Sequence, residues 1–358
     1  MIYIAKPVVG PEEKQAVLEV MDSGIIAQGP KVKEFEEAFA AMVGVEEAIA
    51  TSSGTTALHT MLLAHGIGPG DEVITTPFTF IASANSILYT GAKPVFVDID
   101  PVTFNIDTHL IEEAITDRTR AIMPVHLFGL CCDMSPLMDI AERHNLIVLE
   151  DAAQSHGAKY YGKEAGSFGT GAFSLYPTKN MTSAEGGMVT TSDPAVAESC
   201  RVIRQHGMRR RYYHDELGFN FRMTDIHAAI GVEQLKKLEG FNRRRQENAR
   251  FLSENLQGVV TPVAPPNYDH VYHQYTIRVS AEKRGRLADH LQKNGVGHGI
   301  YYPVPIHKQT VYCDMGYDVH LPVTEQTALE VLSLPVHPSL TGADLETIVS
   351  AVNSFTEI

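Results

Sequence analysis

Between residues 30 and 190 one pattern repeats: a short apolar run, a helical stretch, then another apolar run. The runs are Glu72 to Thr76, Pro94 to Val97, Ala121 to Val125, Leu146 to Glu150, Gly171 to Leu175 and Gly187 to Thr191. They are rich in Val and Ile and apolar on both faces, which marks strands buried between two layers, and the stretches between them supply those layers. The expected fold class is therefore α/β, a mainly parallel sheet flanked by helices. The segment before Asp151 shows the unit clearly. Ser135 can cap a helix that opens with Pro136, carries Leu137, Ile140 and Ala141 on one face, and ends near His144 and Asn145, where the next strand begins.

At 358 residues the chain exceeds the roughly 250 to 300 at which single cores stop growing, so a second lobe is expected. A helical pattern from Thr224 to about Glu239 leads to the basic run Arg243 to Arg245, and the prolines at 262, 265 and 266 then change the composition. The division expected is a large domain over 1–245, including an N-terminal arm, and a smaller C-terminal α+β domain over 246–358. In the smaller domain, His273 to Val279 and Gly297 to Tyr302 read as strands, and Lys283 to Asn294, Thr324 to Val331 and Gly342 to Phe355 as helices.

Open sheets of this class bind ligands beyond the carboxyl ends of their strands, which is where the run ending in Asp151 puts a carboxylate. Such a carboxylate either caps the next helix or holds a cationic ring nitrogen. Lys179 follows in Phe173-Ser174-Leu175-Tyr176-Pro177-Thr178-Lys179-Asn180, before the glycine-rich Glu185-Gly186-Gly187. A desolvated lysine becomes a nucleophile able to condense with an aldehyde. Ser52-Ser53-Gly54-Thr55-Thr56-Ala57-Leu58 runs from a small-residue turn into a helical pattern, leaving free N–H groups and hydroxyls where phosphate binds well. Pro77-Phe78-Thr79-Phe80 places an aromatic face at another strand end.

A net charge of -14 argues against nucleic acid or an anionic membrane as the main partner, although arginines cluster at 201, 204 and 209–211 and again at 243–245. The four cysteines form no Cys-x-x-Cys, the 16 histidines form no His-Glu-x-x-His, and no Gly-x-Gly-x-x-Gly turn follows a strand. A metal enzyme and a dinucleotide-dependent dehydrogenase are both disfavoured. No secretory leader or run of about 18 apolar residues is present, so a soluble cytoplasmic protein is expected.

Taken in order, Ser53 to Leu58, Pro77 to Phe80, Glu150 to Gln154, Ser174 to Asn180, Glu185 to Gly187 and Gly218 to Ile226 closely resemble the DegT/DnrJ/EryC1/StrS family of pyridoxal phosphate sugar aminotransferases. The resemblance covers nearly the whole chain. It implies a type I transferase fold with pyridoxal 5'-phosphate joined to Lys179 as an internal aldimine. It further implies Asp151 on the pyridine nitrogen, Gln154 near the 3-hydroxyl and Phe80 against the ring. Thr55, Thr56 and Ser174 match the phosphate ligands. Asn220 matches an asparagine that reaches the phosphate of the neighbouring subunit, which implies a homodimer with shared active sites. The family's dehydratases carry histidine in place of this lysine, so its retention favours amino transfer. The substrates implied are an amino acid, L-glutamate, and a ketosugar on a nucleotide diphosphate, in polysaccharide or antibiotic sugar biosynthesis. Tyr301 and His307 lie in a segment that resembles one approaching the sugar, Arg222 is a candidate for the glutamate carboxylate and Arg209, with its loop, for the diphosphate, and Gln154 leans toward amination at C3. A sugar dehydratase and a non-catalytic cofactor-binding regulator are the alternatives.

Overall fold

The computed structural model describes residues 1–355. Seven strands form its main sheet: β1 (Glu47–Thr51), β2 (Glu72–Thr75), β3 (Lys93–Phe96), β4 (Thr119–Ile122), β5 (Ile147–Asp151), β6 (Thr170–Ser174) and β7 (Gly187–Thr191). Their order is β1-β7-β6-β5-β4-β2-β3. All neighbours are parallel except at β7, which runs antiparallel to both β1 and β6.

Successive strand residues point to opposite faces, and the two cores separate accordingly. Ala48, Ile74, Ile122, Val148, Phe173 and Met188 pack with α2 (Pro30–Val43), α5 (Met134–His144) and α7 (Asp225–Asn255). Their neighbours Ile49, Val73, Ala121, Leu149, Ala172 and Val189 pack with α3 (Gly54–Ala64), α4 (Ala82–Tyr89) and α6 (Pro194–Arg204). The two-faced apolar runs thus have the cause inferred for them. Strand β1 carries no such signal, since three of its five residues, Glu47, Ala48 and Ala50, are weak strand formers.

The helix expected to start on Ser135 begins instead at Met134 behind Asp133, and neither side chain caps it. The Tyr160 hydroxyl draws both away, lying 2.8 Å from Asp133 Oδ1 and 2.7 Å from Ser135 Oγ. Helix α7 is longer than its periodic pattern, spanning 31 residues and absorbing Arg243 to Arg245. Arg245 turns inward and donates to the carbonyls of Tyr272 and His273.

A second core forms from the C-terminal half of α7 (Ala249, Leu252), the strand pair Tyr275–Arg278 and Val331–Leu334, and the helices Ala281–Lys293 and Gly342–Asn353. Its first residues therefore precede the proline cluster. The N-terminus joins the same lobe through a parallel bridge between Ile2 and Val296. The helix expected near Thr324 to Val331 is present over Pro322–Glu330, and a strand that the sequence did not announce, Val331–Leu334, follows it directly. The strand expectation over 297–302 fails, reducing to one bridge, Gly299 with Ser333, because Ile300 packs on the small-lobe core and Tyr301 and Tyr302 turn toward the cleft described next.

Candidate active site

A cleft of about 600 Å³ opens where β1, β2, β5 and β6 end, between the large sheet and the small lobe. Asp151 closes β5 at its floor, with 4% of its surface exposed. Ser83 Oγ, at the start of α4, donates to Asp151 Oδ2 at 2.6 Å, and the Ala153 N–H donates to Oδ1 at 3.1 Å. Burial raises this carboxyl's pKa, while those two donors and the charge of Lys179 pull the other way. The second of them is the local turn that a purely capping aspartate would make. The first comes from another element and orients the group toward the cleft.

Lys179 lies in the loop after β6, its N–H bonded to the Tyr176 carbonyl at 2.9 Å. The side chain faces the open cleft and is half-buried, yet surrounding protein lowers its pKa to about 8, with Asp151 opposing the shift. A substantial neutral fraction exists near physiological pH, as nucleophilic attack by an amine requires.

The N-terminus of α3 forms another wall. Ser53 caps it, accepting from the Thr56 N–H at 3.2 Å, and the first N–H groups of the helix point outward as an anion site. Thr55 and Ser174 line the cleft beside it. A Cβ on Gly54 would lie 2.6 Å from Ser174 Cβ, and one on Gly187 would lie 2.2 Å from the Ser53 carbonyl oxygen. Glycine at both positions lets helix and strands close around this corner. Thr56 does not line the cleft; its hydroxyl is held in the cap, donating to the Ser53 carbonyl at 2.8 Å and accepting from the Ser53 N–H at 2.9 Å.

Phe80 is 57% exposed and faces the cleft, its ring 6.3 Å from that of Tyr302. Gln154 is fixed at both ends. Its Oε1 accepts from the Phe128 N–H at 2.9 Å, and its Nε2 donates to the Tyr302 hydroxyl at 3.2 Å. Tyr301 also lines the cleft. Among the lining residues that the sequence did not mark as part of a site are Ser83, Tyr302, His273 and Gln274. Only Tyr302 carried a signal, its place beside Tyr301.

Besides Thr56, four expected residues lie outside this chain's cleft. His307 is buried against Phe96, with Nε2 3.1 Å from Glu325 Oε1, because the short helical turn Ile306–Lys308 directs it inward. Arg209 sits on an exposed hairpin and pairs with Glu198 and Glu216. Asn220 is exposed and bridged through its backbone to Gln205, and Arg222 is half-buried. The Thr224 and Asp225 of the same motif serve the architecture. Thr224 caps α7, and the buried Asp225 carboxylate accepts the N–H groups of Gly29, Lys31 and Val32 at the start of α2.

Among the described residues, no cluster of three or more His, Cys, Asp or Glu could hold a metal ion, and no helix is long and apolar enough to cross a membrane. The DegT/DnrJ/EryC1/StrS aminotransferase family model matches residues 7–353. The chain is 46% identical to a pleiotropic regulatory protein of Geobacillus stearothermophilus, over 96% of this chain and 94% of that one. It is 42% identical to GDP-perosamine synthase of Caulobacter vibrioides, over 98% and 97% of the two chains. The crystal structure of DesV from S. venezuelae, in complex with a ketimine intermediate, superposes with a TM-score of 0.94 at 39% identity, covering 97% of this chain and 95% of that one.

Proposed function

The chain belongs to the DegT/DnrJ/EryC1/StrS aminotransferase family, and from that premise we propose that it moves the amino group of L-glutamate to a keto group of a nucleotide-diphosphate-linked sugar, using pyridoxal 5'-phosphate held on Lys179. The observation that carries this reading is the pairing, in one cleft, of a lysine whose pKa falls to about 8 with a buried carboxylate. The site fits the cofactor on further grounds. It has a glycine-relieved helix N-terminus for a phosphate and an exposed aromatic face for a ring.

When bound, pyridoxal phosphate supplies an aldehyde that takes up amino groups and a ring that delocalises negative charge. The protein's residues do the rest. Asp151, oriented by Ser83, holds a proton on the ring nitrogen, and Gln154, locked between Phe128 and Tyr302, presents a polar edge at a fixed angle. Thr55, Ser174 and the α3 N–H groups bind the phosphate. Lys179 Nζ, once released from the cofactor and neutral in part at working pH, would take a proton from the amino donor's α-carbon and deliver it to the cofactor's aldehyde-derived carbon on the far side of the transferred nitrogen. Glutamate and ketosugar use the pocket in turn, so kinetics are ping-pong.

The oligomer proposed is a homodimer. Asn220 and Arg209 are exposed outside their own cleft, which supports a role in a neighbour's. Mixing Lys179→Ala with Asn220→Ala protein tests this, because hybrid dimers would contain one intact site and recover activity that neither variant has alone. C3 remains the proposed carbon on the strength of Gln154.

One relative is named as a regulatory protein, so a non-catalytic cofactor-binding role is the second reading. Incubating purified protein with glutamate and a panel of UDP-, GDP- and dTDP-linked 3-keto and 4-keto sugars separates the two. Aminated sugar with stoichiometric 2-oxoglutarate supports the transferase; bound cofactor with no product from any sugar supports the regulator.

A further inference from the structure

The small-lobe wall of the cleft carries a histidine that the roles above leave unused. His273 lines the cleft together with Gln274, only 5% of it is exposed, and its Nδ1 is buried without a hydrogen-bond partner. Lys179, Arg245 and His156 are the titratable groups around it; burial first, and then the charges of Lys179 and Arg245, keep the ring neutral.

A neutral imidazole carries one N–H. On Nδ1 that proton would be a buried donor with nothing to accept it. On Nε2 it leaves only a bare acceptor buried, which folded proteins tolerate more readily. His273 therefore offers the cleft a donor.

The backbone around this donor is pinned. Asn180 Nδ2 donates to the Val271 carbonyl at 2.9 Å, Gln246 Nε2 to that of His270 at 3.1 Å, and Arg245 Nη1 to those of Tyr272 and His273 at 3.1 and 3.3 Å. Between them Tyr272 holds a φ of 44°, in the left-handed region an aromatic residue rarely adopts. Such strain persists where neighbours over-determine a conformation, and it concentrates at ligand sites.

An amino donor brings a carboxylate, and among the described residues no arginine lines the cleft. The α3 corner suits the phosphate, while Gln154 and Tyr302 are bonded to each other. Of the other lining donors, the consecutive pair His273 and Gln274 has the buried cation of Arg245 behind it, which donates to the His273 carbonyl. We propose that His273, assisted by Gln274, holds a carboxylate of the amino donor through its neutral Nε2–H. This rests on the amino-transfer reading and names that site's donor contact.

Loaded enzyme is titrated with glutarate by calorimetry, and the two half-reactions are followed separately. His273→Phe keeps a ring without the donor. It weakens glutarate binding, and kcat/KM for glutamate falls, by about 10- to 100-fold, the range for a hydrogen bond to a charged group. The ketosugar half-reaction stays within about threefold, and His273→Gln, which retains an N–H donor, recovers most of the loss. In the wild type, glutarate affinity is flat between about pH 6 and 9 as far as this residue is concerned. Unchanged glutarate affinity in His273→Phe, an equal fall in both half-reactions, or His273-dependent binding that tightens as pH drops through about 6.5 overturns the proposal. A wild type that binds glutarate through His273 yet takes an amino group from no amino acid overturns the transfer reading instead.

Discussion

Glu150 and Asp151 are consecutive in one strand, and their carboxylates stand on opposite faces of the sheet. Glu150 is fully buried and accepts the N–H groups of Gly166, Phe168 and Gly169 at 2.7 to 2.9 Å, with His126 Nε2 a further 2.9 Å away. The Cys132 N–H points at His126 Nδ1, so the ring proton belongs on Nε2 and the histidine donates to Glu150. One carboxylate thus anchors a loop while its neighbour lines the cleft.

Exchanging each for its amide separates these roles. Glu150→Gln puts an N–H against a donor, and about 2 to 3 kcal/mol of stability is lost by denaturant titration while cofactor binding survives in the folded fraction. Asp151→Asn folds at least as stably without cofactor, since the carboxylate it replaces is raised in pKa by burial. Its amino transfer drops by about 10²- to 10³-fold, the scale of losing one preorganised electrostatic group.

The Lys179 amine titrates well below an ordinary lysine. Lowered from 10.5 to about 8 by burial, it is mainly ammonium below that pH and mainly neutral above it. In cofactor-free protein, reductive alkylation of Lys179 by a small aldehyde, read by peptide mass, rises with a midpoint near this value. Because Asp151 raises the lysine's pKa, Asp151→Asn moves the midpoint lower; a midpoint at that of surface lysines contradicts the account.

Gly54 is a matter of space. A methyl group there meets Ser174 Cβ at 2.6 Å and Ser174 Cα at 3.1 Å, so strand and helix must part. Gly54→Ala costs about 1 to 3 kcal/mol by overpacking, and because the displaced wall is the anion corner, inorganic phosphate and cofactor both bind more weakly. Equilibrium dialysis measures the second effect.

Asp225 joins the N-terminus of α2 to the start of α7 through three accepted N–H groups. Asp225→Ala leaves those donors without their carboxylate and lowers stability by about 2 to 3 kcal/mol, with an unchanged midpoint for Lys179 alkylation.

What could be read from the chain follows the range of the physics involved. Val73-Ile74 or Val148-Leu149 announces a two-faced strand locally, so the sheet and its helical layers were legible. Val331-Leu332-Ser333-Leu334 was not, because a short apolar run suits helix or strand and its partner, Tyr275–Arg278, lies far off in sequence. At the site, Asp151, Lys179 and Phe80 stood within recognisable motifs. Ser83, which aims Asp151 from 68 residues away, and Tyr302, which holds Gln154 from 148 residues away, had no local signature. His307 read as a cleft residue from its motif, and its bond to Glu325 shows how one helical turn redirects a side chain.

The most direct measurement is chemical trapping. Purified protein loaded with pyridoxal 5'-phosphate is reduced with borohydride, digested and mapped by mass spectrometry. One pyridoxyl adduct is expected, on Lys179, absent after prior treatment with glutamate. An adduct on another lysine, or none in protein that has bound the cofactor, contradicts that expectation.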